Sequence, residues 1–239
     1  MESTLRAQAE AVGRNYDRHM ILEARRRTRQ AIQRIAAVVL PGMFEEEAVQ
    51  YARQVLKDSE MIRGWHGIHV RFGVNTLKQF GEPSEPGIKL RENDIFFIDI
   101  GPVWQKWEGD GGESFVVGTD PEMHRAVHDV RELFDRVKAR WLVEQISGRD
   151  LYQYADDQAR NMGWELNLDM SGHRLSDFPH KALHTGSLAE VAFTPSEGLW
   201  VLEIQIRHPR RLFSAFYEDL LLRAPDPLQG RALQHPGGR

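Results

Sequence analysis

The sequence predicts an α+β fold, because pairs of amphipathic helices alternate with short β-rich runs. Apolar residues recur at helical spacing in four segments, two in each half of the chain. Each helical pair is followed by β-rich runs that contain carboxylates, a residue type that strand interiors disfavour. The same theme therefore occurs twice, and no repeat of the short solenoid type is found.

Composition narrows the classes of function. The 239 residues are 41% hydrophobic and 28% charged, which is typical of a soluble globular protein with a sizeable core. A net charge of −4 gives no basic footprint for nucleic acid, and no apolar run reaches the roughly 18 residues of a membrane span. We see no leader pattern at the N-terminus and expect a cytoplasmic protein. Because cysteine is absent, any metal must be held by His, Asp and Glu.

The first half begins with a polar segment, residues 1–19, for which we expect an arm or a helix. The apolar spacing of residues 20–40 predicts an amphipathic helix, and Pro41-Gly42 ends it. Residues 44–57 predict a second helix, acidic at its start and basic at its end, as the helix dipole favours. The basic run of the first helix is expected to form a solvated face and not a binding patch; it comprises Arg25, Arg26, Arg27, Arg29 and Arg34.

Residues 65–80 predict a strand with a turn near Gly73, and a proline-containing loop, residues 81–87, follows. His66 and His69 have the spacing of a metal pair on a helix, but the glycines around them argue against a helix. We therefore expect no ligand role for either histidine.

Residues 93–118 predict a β-hairpin with Asp99 on one strand and Asp110 on the other. Asp99 lies in the run IFFIDIG, where a buried carboxylate without a partner is costly, so it needs a cation close by. That cation is either a basic side chain or a metal. The alternative is a pair of exposed hairpin aspartates.

The second half repeats the pattern. A helix begins near Asp120-Pro121 and ends near Ser147-Gly148, and a further helix is capped by Asp150 and stopped by Gly163. The histidines of the first of these helices, His124 and His128, are expected to be solvated.

Strands are expected at residues 164–168, 199–206 and 212–222. The last two form a second hairpin that places Glu203 and Glu218 on neighbouring strands. Between the helices and this hairpin lies a loop, residues 171–180, that contains His173 and His180.

Four carboxylates in or beside apolar strands, with one imidazole after a glycine, are the donor set of a two-metal site. They are Asp99, Asp110, Glu203, Glu218 and His173. Two divalent ions held close together can share a hydroxide and polarise a carbonyl group. Such oxygen and imidazole donors fit Mn, Fe, Co or Zn, and the sequence does not choose among these metals.

At this point the sequence resembles the pita-bread metallopeptidases: methionine aminopeptidase, aminopeptidase P, prolidase and the non-peptidase creatinase. The match rests on Asp99 followed eleven residues later by Asp110, and on Gly172-His173 followed seven residues later by His180. A Glu in an apolar strand, Glu203 in WVLEIQI, and a Glu before a last apolar run, Glu218, complete the motifs.

The resemblance implies a pseudo-symmetric curved antiparallel sheet flanked by two helix pairs. It implies metal ligation by Asp99, Asp110, His173, Glu203 and Glu218, with Glu203 also accepting a proton and His180 binding substrate. It covers roughly residues 20–223, which gives an arm at residues 1–19, a catalytic domain at 20–223 and a Pro/Gly-rich tail at 224–239. The exposed edges and the arm are compatible with a homodimer.

One feature departs from the family. Most of these peptidases have a further histidine on the strand before the first aspartate, and the corresponding window here, around residues 79–82, contains Gln79, Phe80, Gly81 and Glu82. Either the intervening loop is longer and His66 or His69 reaches the site instead, or the role of that histidine is lost. The first hypothesis is a dimetal aminopeptidase or Xaa-Pro dipeptidase-like enzyme that acts on short peptides. The missing histidine favours a second, a creatinase-like hydrolase or lyase acting on a small amide metabolite. A metal-free binding module is the third.

Overall fold

The computed structural model describes residues 2–61, 63–176 and 185–223. In this part of the chain the helices are α1 (Glu2–Ala9), α2 (Arg18–Ala36), α3 (Glu45–Asp58), α4 (Pro121–Glu144) and α5 (Gly148–Asn161). The strands are β1 (Arg63–Gly64), β2 (His69–Phe72), β3 (Asp94–Ile100), β4 (Pro102–Trp104), β5 (Trp107–Glu108), β6 (Gly111–Val117), β7 (Glu165–Leu166), β8 (His173–Arg174), β9 (Trp200–Arg207) and β10 (Ser214–Leu220). Short 3₁₀ turns lie at Gly73–Leu77 and Leu188–Glu190.

The main sheet has the strand order β2-β3-β6-β10-β9-β7, and β8 also pairs with β9. All of these pairs are antiparallel. The predicted hairpin of residues 93–118 is present as β3 and β6, and the strands β4 and β5 project from its tip to form a small separate sheet with β1. The hairpin predicted for residues 93–118 does not include this second sheet.

Each half of the main sheet is covered by its own helix pair. Ile32 and Ile35 of α2 and Ala52 of α3 are buried in one apolar cluster with strands β2 and β3. Leu133 of α4 and Ala155 of α5 are buried in another cluster with β9 and β10. This arrangement confirms the predicted α+β pita-bread fold. No described helix has the length and apolar character needed to cross a membrane.

The helix boundaries follow ordinary capping chemistry. Asp120 accepts hydrogen bonds from the first turn of α4, as the sequence predicts. The prediction that Asp150 caps α5 is wrong: the cap is Ser147, whose hydroxyl accepts from the Asp150 N–H, and Asp150 lies in the first turn. In a capping box, too, an acid follows the capping Ser by three residues. The local sequence therefore does not show whether Ser147 or Asp150 is the cap.

The arginine-rich face of α2 is the main correction to the sequence analysis. Arg25 and Arg29 are each only 7% exposed, because they lie on the same face as the buried Ile32 and point at the sheet. The solvated-face prediction is therefore wrong for these two residues. It holds for Arg26 and Arg27, which are half-buried and pair with Glu23 on their own helix.

The predicted limits of the domain stay predictions. In the predicted arm, α1 is helical, and Glu10 beyond its end accepts hydrogen bonds from Ser196 and the Trp200 indole. The predicted tail, residues 224–239, lies outside the described residues.

Candidate metal centre

One row of residues crosses five strands on the sheet face that does not carry the helices. In the strand registers His69 lies opposite Asp99, Asp99 opposite Gly112, Gly112 opposite Glu218, and Glu218 opposite Glu203. Residues directly opposite one another share a face of the sheet. The register therefore brings a carboxylate of the first half next to two carboxylates of the second.

Gly112 gives this row its space. A Cβ atom on Gly112 would lie 2.3 Å from the Phe216 ring and 3.1 Å from Cγ of Glu218. Any side chain here would therefore push into the gap between Asp99 and Glu218. The glycine at position 112 is thus a packing requirement of the site.

Asp110 lies directly before β6 and is 2% exposed. His173 Nε2 is 2.8 Å from Oδ2 of Asp110, and His173 Nδ1 faces the Arg174 carbonyl oxygen at 3.3 Å. Burial alone would raise the pKa of Asp110, but hydrogen bonds from His173 and His66 lower it to about 2. Asp110 therefore stays ionised between two imidazoles.

His66 is the second of these imidazoles. Its Nε2 atom lies 3.4 Å from Oδ1 of Asp110 and 3.6 Å from Oδ1 of Asp99. Burial alone would lower the pKa of His66, yet the two aspartates raise it to about 9. His66 and His69, for which no ligand role was expected, therefore lie beside the predicted ligands. The pairing of β2 with β3 places His69 opposite Asp99, and His66 lies three residues before it.

Glu203 is held by its backbone as well as by its side chain. The Tyr152 hydroxyl donates to the Glu203 carbonyl at 2.8 Å and accepts from the Glu203 N–H at 3.2 Å. Oε2 of Glu203 accepts from the Gly172 N–H at 3.1 Å. Burial is the largest cause that raises the pKa of Glu203, to about 7, with neighbouring aspartates adding to it and His173 opposing it. Sequence reasoning missed Tyr152, because a helical tyrosine carries no signal for this contact.

Gly172 explains why a glycine precedes His173. Its φ is +70°, a backbone conformation that favours glycine, and a Cβ atom would lie 2.4 Å from the Val201 carbonyl oxygen. The close approach lets β8 pair with β9, with His173 opposite Val201. The histidine is thereby directed toward Asp110.

The carboxylates of the centre have the surroundings expected of acids that bind a metal cation. Between described residues, no Lys or Arg lies within 4.0 Å of these carboxylates, whose ion-pair contacts come from His66 and His173. Glu218 is 2% exposed, and its Oε1 atom has no hydrogen-bond partner. Burial and the surrounding carboxylates, foremost Asp110 and Asp99, raise the pKa of Glu218 well above its usual value. Such crowding of acids fits a divalent ion bound by oxygen and imidazole donors.

The donor atoms fall into two groups, each with atoms within 4.8 Å of one another. One group is Asp110, His173 and Glu218; the other is His66, His69 and Asp99. A third group in the described chain, His128, Asp129 and Glu132, lies on the surface of α4, where His128 is exposed.

The predicted site residues are thus brought together, with one exception. Asp99, Asp110, His173, Glu203 and Glu218 lie on one face, whereas His180 is outside the described residues. No histidine occupies the window of residues 79–82. Phe80 lies there instead, with its ring 5.7 Å from that of His66 and 5.9 Å from that of His69, centroid to centroid.

A cavity of about 420 Å³ opens beside His66. Its lining is mostly apolar, with Leu56, Met61 and Ile100, and it includes the cationic side chains of Arg53 and Lys57. A space of this size is large enough for one side chain of a substrate.

A sheet flanked by two helix pairs, with acids and imidazoles gathered on its open face, is the arrangement of a metal-dependent enzyme. The chain belongs to metallopeptidase family M24, whose sequence model matches residues 19–198. The match confirms the predicted family and the metallopeptidase type of the enzyme. A comparison with curated proteins finds no match.

Solved structures share the fold at low sequence identity. Prolidase from Pyrococcus horikoshii OT3 is 15% identical with a TM-score of 0.70; the match covers 93% of this chain and 63% of that one. The X-Pro aminopeptidase from Thermotoga maritima MSB8 is 16% identical with a TM-score of 0.69, covering 94% and 66%. Methionine aminopeptidase from Thermotoga maritima is 15% identical with a TM-score of 0.66, covering 89% and 95%. The chain thus spans less than two thirds of the prolidase and the X-Pro aminopeptidase, and nearly all of the methionine aminopeptidase.

Proposed function

We propose that the chain is a dinuclear metal-dependent hydrolase of the aminopeptidase or Xaa-Pro dipeptidase-like kind. The observation that carries the proposal is the face of four buried carboxylates that lack Lys or Arg partners in the described chain and lie beside two imidazoles. Asp99, Asp110, His173, Glu203 and Glu218 are the proposed ligands. Membership of family M24 and the likeness to an X-Pro aminopeptidase and a prolidase support the reaction class.

When bound, two divalent ions would lower the pKa of a water molecule and polarise the scissile carbonyl group. The chain's own residues then have three tasks. Glu203, fixed by Tyr152 at its backbone, accepts a proton close to the reacting atoms. His180 donates a hydrogen bond to the substrate carbonyl, a role that rests on the family resemblance alone. The cavity beside His66 takes a substrate side chain.

The test is a metal-loaded turnover assay on a panel of Xaa-Pro dipeptides, Met-Xaa peptides and other short peptides with a free amino end. Asp99→Asn should lose bound metal and turnover together. Asp157→Asn, on the exposed face of α5, is the matched control and should change neither. If Asp99→Asn keeps both the metal content and the turnover of the wild-type chain, the proposal is wrong.

A second candidate function is hydrolysis or lysis of a small amide metabolite on the same centre. It is favoured by Phe80, which lies against His66 and His69 in the window where most family members have a histidine. A ring without a hydrogen-bond donor cannot stabilise a developing oxyanion, so a peptidase would lose rate. Small amides and guanidino acids added to the same panel distinguish the two candidates by which class is turned over.

A further inference from the structure

His66 and His69 are outside the ligand set that the family resemblance implies, yet they reach the same centre. The ring orientation of His66 is fixed by its own backbone surroundings. Its Nδ1 atom lies 2.6 Å from the Gly67 carbonyl oxygen, which only accepts, so Nδ1 carries the hydrogen. In the neutral ring, which is the form that binds a metal, Nε2 offers its lone pair to an ion lying between the ring and the carboxylates of Asp110 and Asp99.

His173, a proposed ligand, has the same arrangement. Its Nδ1 atom faces the Arg174 carbonyl oxygen and its Nε2 atom points at the other oxygen of Asp110. A histidine that binds a metal through one nitrogen commonly donates from the other to a carbonyl group or carboxylate. By this criterion His66 and His173 are equivalent, one on each side of Asp110.

The space around His66 is shaped for this ring. A Cβ atom on Gly101 would lie 2.3 Å from Nε2 of His66, so that position must lack a side chain. The indole of Trp65 makes edge contacts with both rings, at 4.4 Å from His66 and 5.0 Å from His173. Trp65 is itself held by a 3.0 Å hydrogen bond from Nε1 to the Gly109 carbonyl oxygen. One packed aromatic residue therefore positions both imidazoles.

The distances suit a shared ion. Nε2 of His66 is 3.4 Å from Asp110 Oδ1 and 3.6 Å from Asp99 Oδ1. Two donors bound to one ion through bonds of about 2.1 Å at a tetrahedral angle lie about 3.4 Å apart. His69 adds a second nitrogen near Asp99, and the two histidine rings are stacked with centroids 6.2 Å apart.

We infer that His66 is a nitrogen ligand of the divalent ion held by Asp99 and Asp110, with His69 as the neighbouring imidazole of the same group. The inference rests on the proposed metal centre. It makes the centre richer in imidazole than the five-ligand set implied by the family. Imidazole suits Fe, Co and Zn, whereas Mn is better served by carboxylates, so the extra rings favour the former ions.

The test is metal titration calorimetry on the full chain with Co²⁺ and with Mn²⁺, for the wild-type protein and for His66→Asn. We expect Co²⁺ affinity to fall more than about 100-fold, because even outer-shell partners are worth about 10–100-fold, and Mn²⁺ affinity to fall less. His19→Asn, on an exposed residue of the first turn of α2, is the matched control and should bind both ions like the wild-type protein. Unchanged Co²⁺ affinity in His66→Asn would overturn the inference and leave His66 a substrate contact.

His66→Cys gives a second readout that does not depend on affinity. The chain has no cysteine, so a Co²⁺–thiolate charge-transfer band in this variant can come from residue 66 alone. We expect that band on addition of Co²⁺, and its absence from a variant with wild-type circular dichroism would contradict ligation at this position.

The two proposals fail differently. If the wild-type chain binds Co²⁺ through His66 and cleaves no substrate in the panel, the inference stands and the proposed function falls. If the wild-type chain cleaves peptides and His66→Asn keeps its Co²⁺ affinity, the function stands and the inference falls.

Discussion

Glu218 and Asp219 are neighbours in β10, and they point to opposite faces of the same sheet. Each is 2% exposed, so an ionised carboxylate at either position is costly without a cation close by. Asp219 faces the helices and receives two hydrogen bonds from Arg25, at 2.6 and 2.5 Å. Glu218 faces the open side, where its Oε1 atom has no hydrogen-bond partner and other acids crowd it.

The neighbouring strand repeats the contrast. On the helix side Glu113 receives Arg29 at 2.5 Å and Arg131 at 2.7 Å, while on the other side the adjacent Gly112 leaves a gap. A guanidinium is charged at every physiological pH and neutralises its partner permanently. The difference teaches that the acids on the helix side of these two strands are neutralised by arginines of the fold. The acids of the open face are left for a cation that can be exchanged.

The largest expected effect comes from Glu218→Gln, which removes the charge and keeps the shape. We expect metal-dependent turnover to fall on the order of 10³-fold or more, because outer-shell partners alone already account for about 10–100-fold. The metal-free variant should unfold at the same temperature as the wild-type protein or a higher one, since a crowded carboxylate is gone. Assays with added metal and thermal unfolding in chelator measure the two effects. If Glu218→Gln keeps full turnover, the carboxylate of Glu218 is not needed for cation binding on the open face, and the contrast with Asp219 is wrong.

On the helix face, Asp219→Asn should reduce stability and change metal binding little, the reverse of Glu218→Gln. It removes the charge that Arg25 contacts on β10 and should lower the free energy of unfolding by about 3–5 kcal/mol, as breaking a buried pair does. Metal affinity of the folded protein should change far less than in Glu218→Gln. Urea unfolding and calorimetry test both points. The double variant Arg25→Met/Asp219→Leu should recover stability, and its failure to do so would argue against loss of the Arg25–Asp219 ion pair as the cause.

A pH effect should follow from Glu203 in metal-free protein. Its pKa in the folded chain is raised from 4.5 to about 7 by burial. An acid whose pKa is higher in the folded than in the unfolded chain stabilises the fold when it is protonated. The stabilisation by Glu203 is therefore complete below pH 4.5 and is lost as the pH rises through about 7. The lost stability is on the order of 3 kcal/mol. Unfolding in chelator across this window, for wild type and Glu203→Gln, should show the steeper decline in the wild-type protein; equal slopes would contradict the expectation.

The smallest effect is expected for Arg26→Ala. Arg26 pairs with Glu23 at 2.6 Å on the surface of α2, and Arg26 and Arg27 together lower the pKa of Glu23 to about 2. Solvent screens such a pair, so the free energy of unfolding should change by less than about 1 kcal/mol. A loss comparable to that of Asp219→Asn would mean that exposure does not distinguish the arginines of α2.

The sequence predicted the fold and the residues of the open face where local pattern and spacing carry the signal. Asp99 and Glu203 were recognised because acids in apolar strands are unusual, and the register then aligns them with Glu218. Their role as ligands stays a prediction, as does the role of His180.

What the sequence did not predict depends on pairing over long distances. His66 reaches Asp110 only because β2 lies beside β3 and the β1–β4–β5 sheet packs nearby, and neither pairing has a local signature. Arg25 finds Asp219 across 194 positions of the chain. A closer reading of α2 offered one signal, since Arg25, Thr28 and Arg29 share the spacing of Ile21 and Ile32.

The join between β6 and β10 is registered through two residue pairs, Tyr217 with Glu113 and Glu218 with Gly112, whereas β6 pairs with β3 over seven. That join is also where the two halves of the sheet meet, and donor atoms of the centre lie on both sides of it. Ions bound there would have ligands on both halves of the sheet. The alignment of the halves and the occupancy of the centre are therefore thermodynamically coupled. A change that loosens this narrow join should weaken ion binding without touching any donor, and loading the centre should stiffen the molecule along this line.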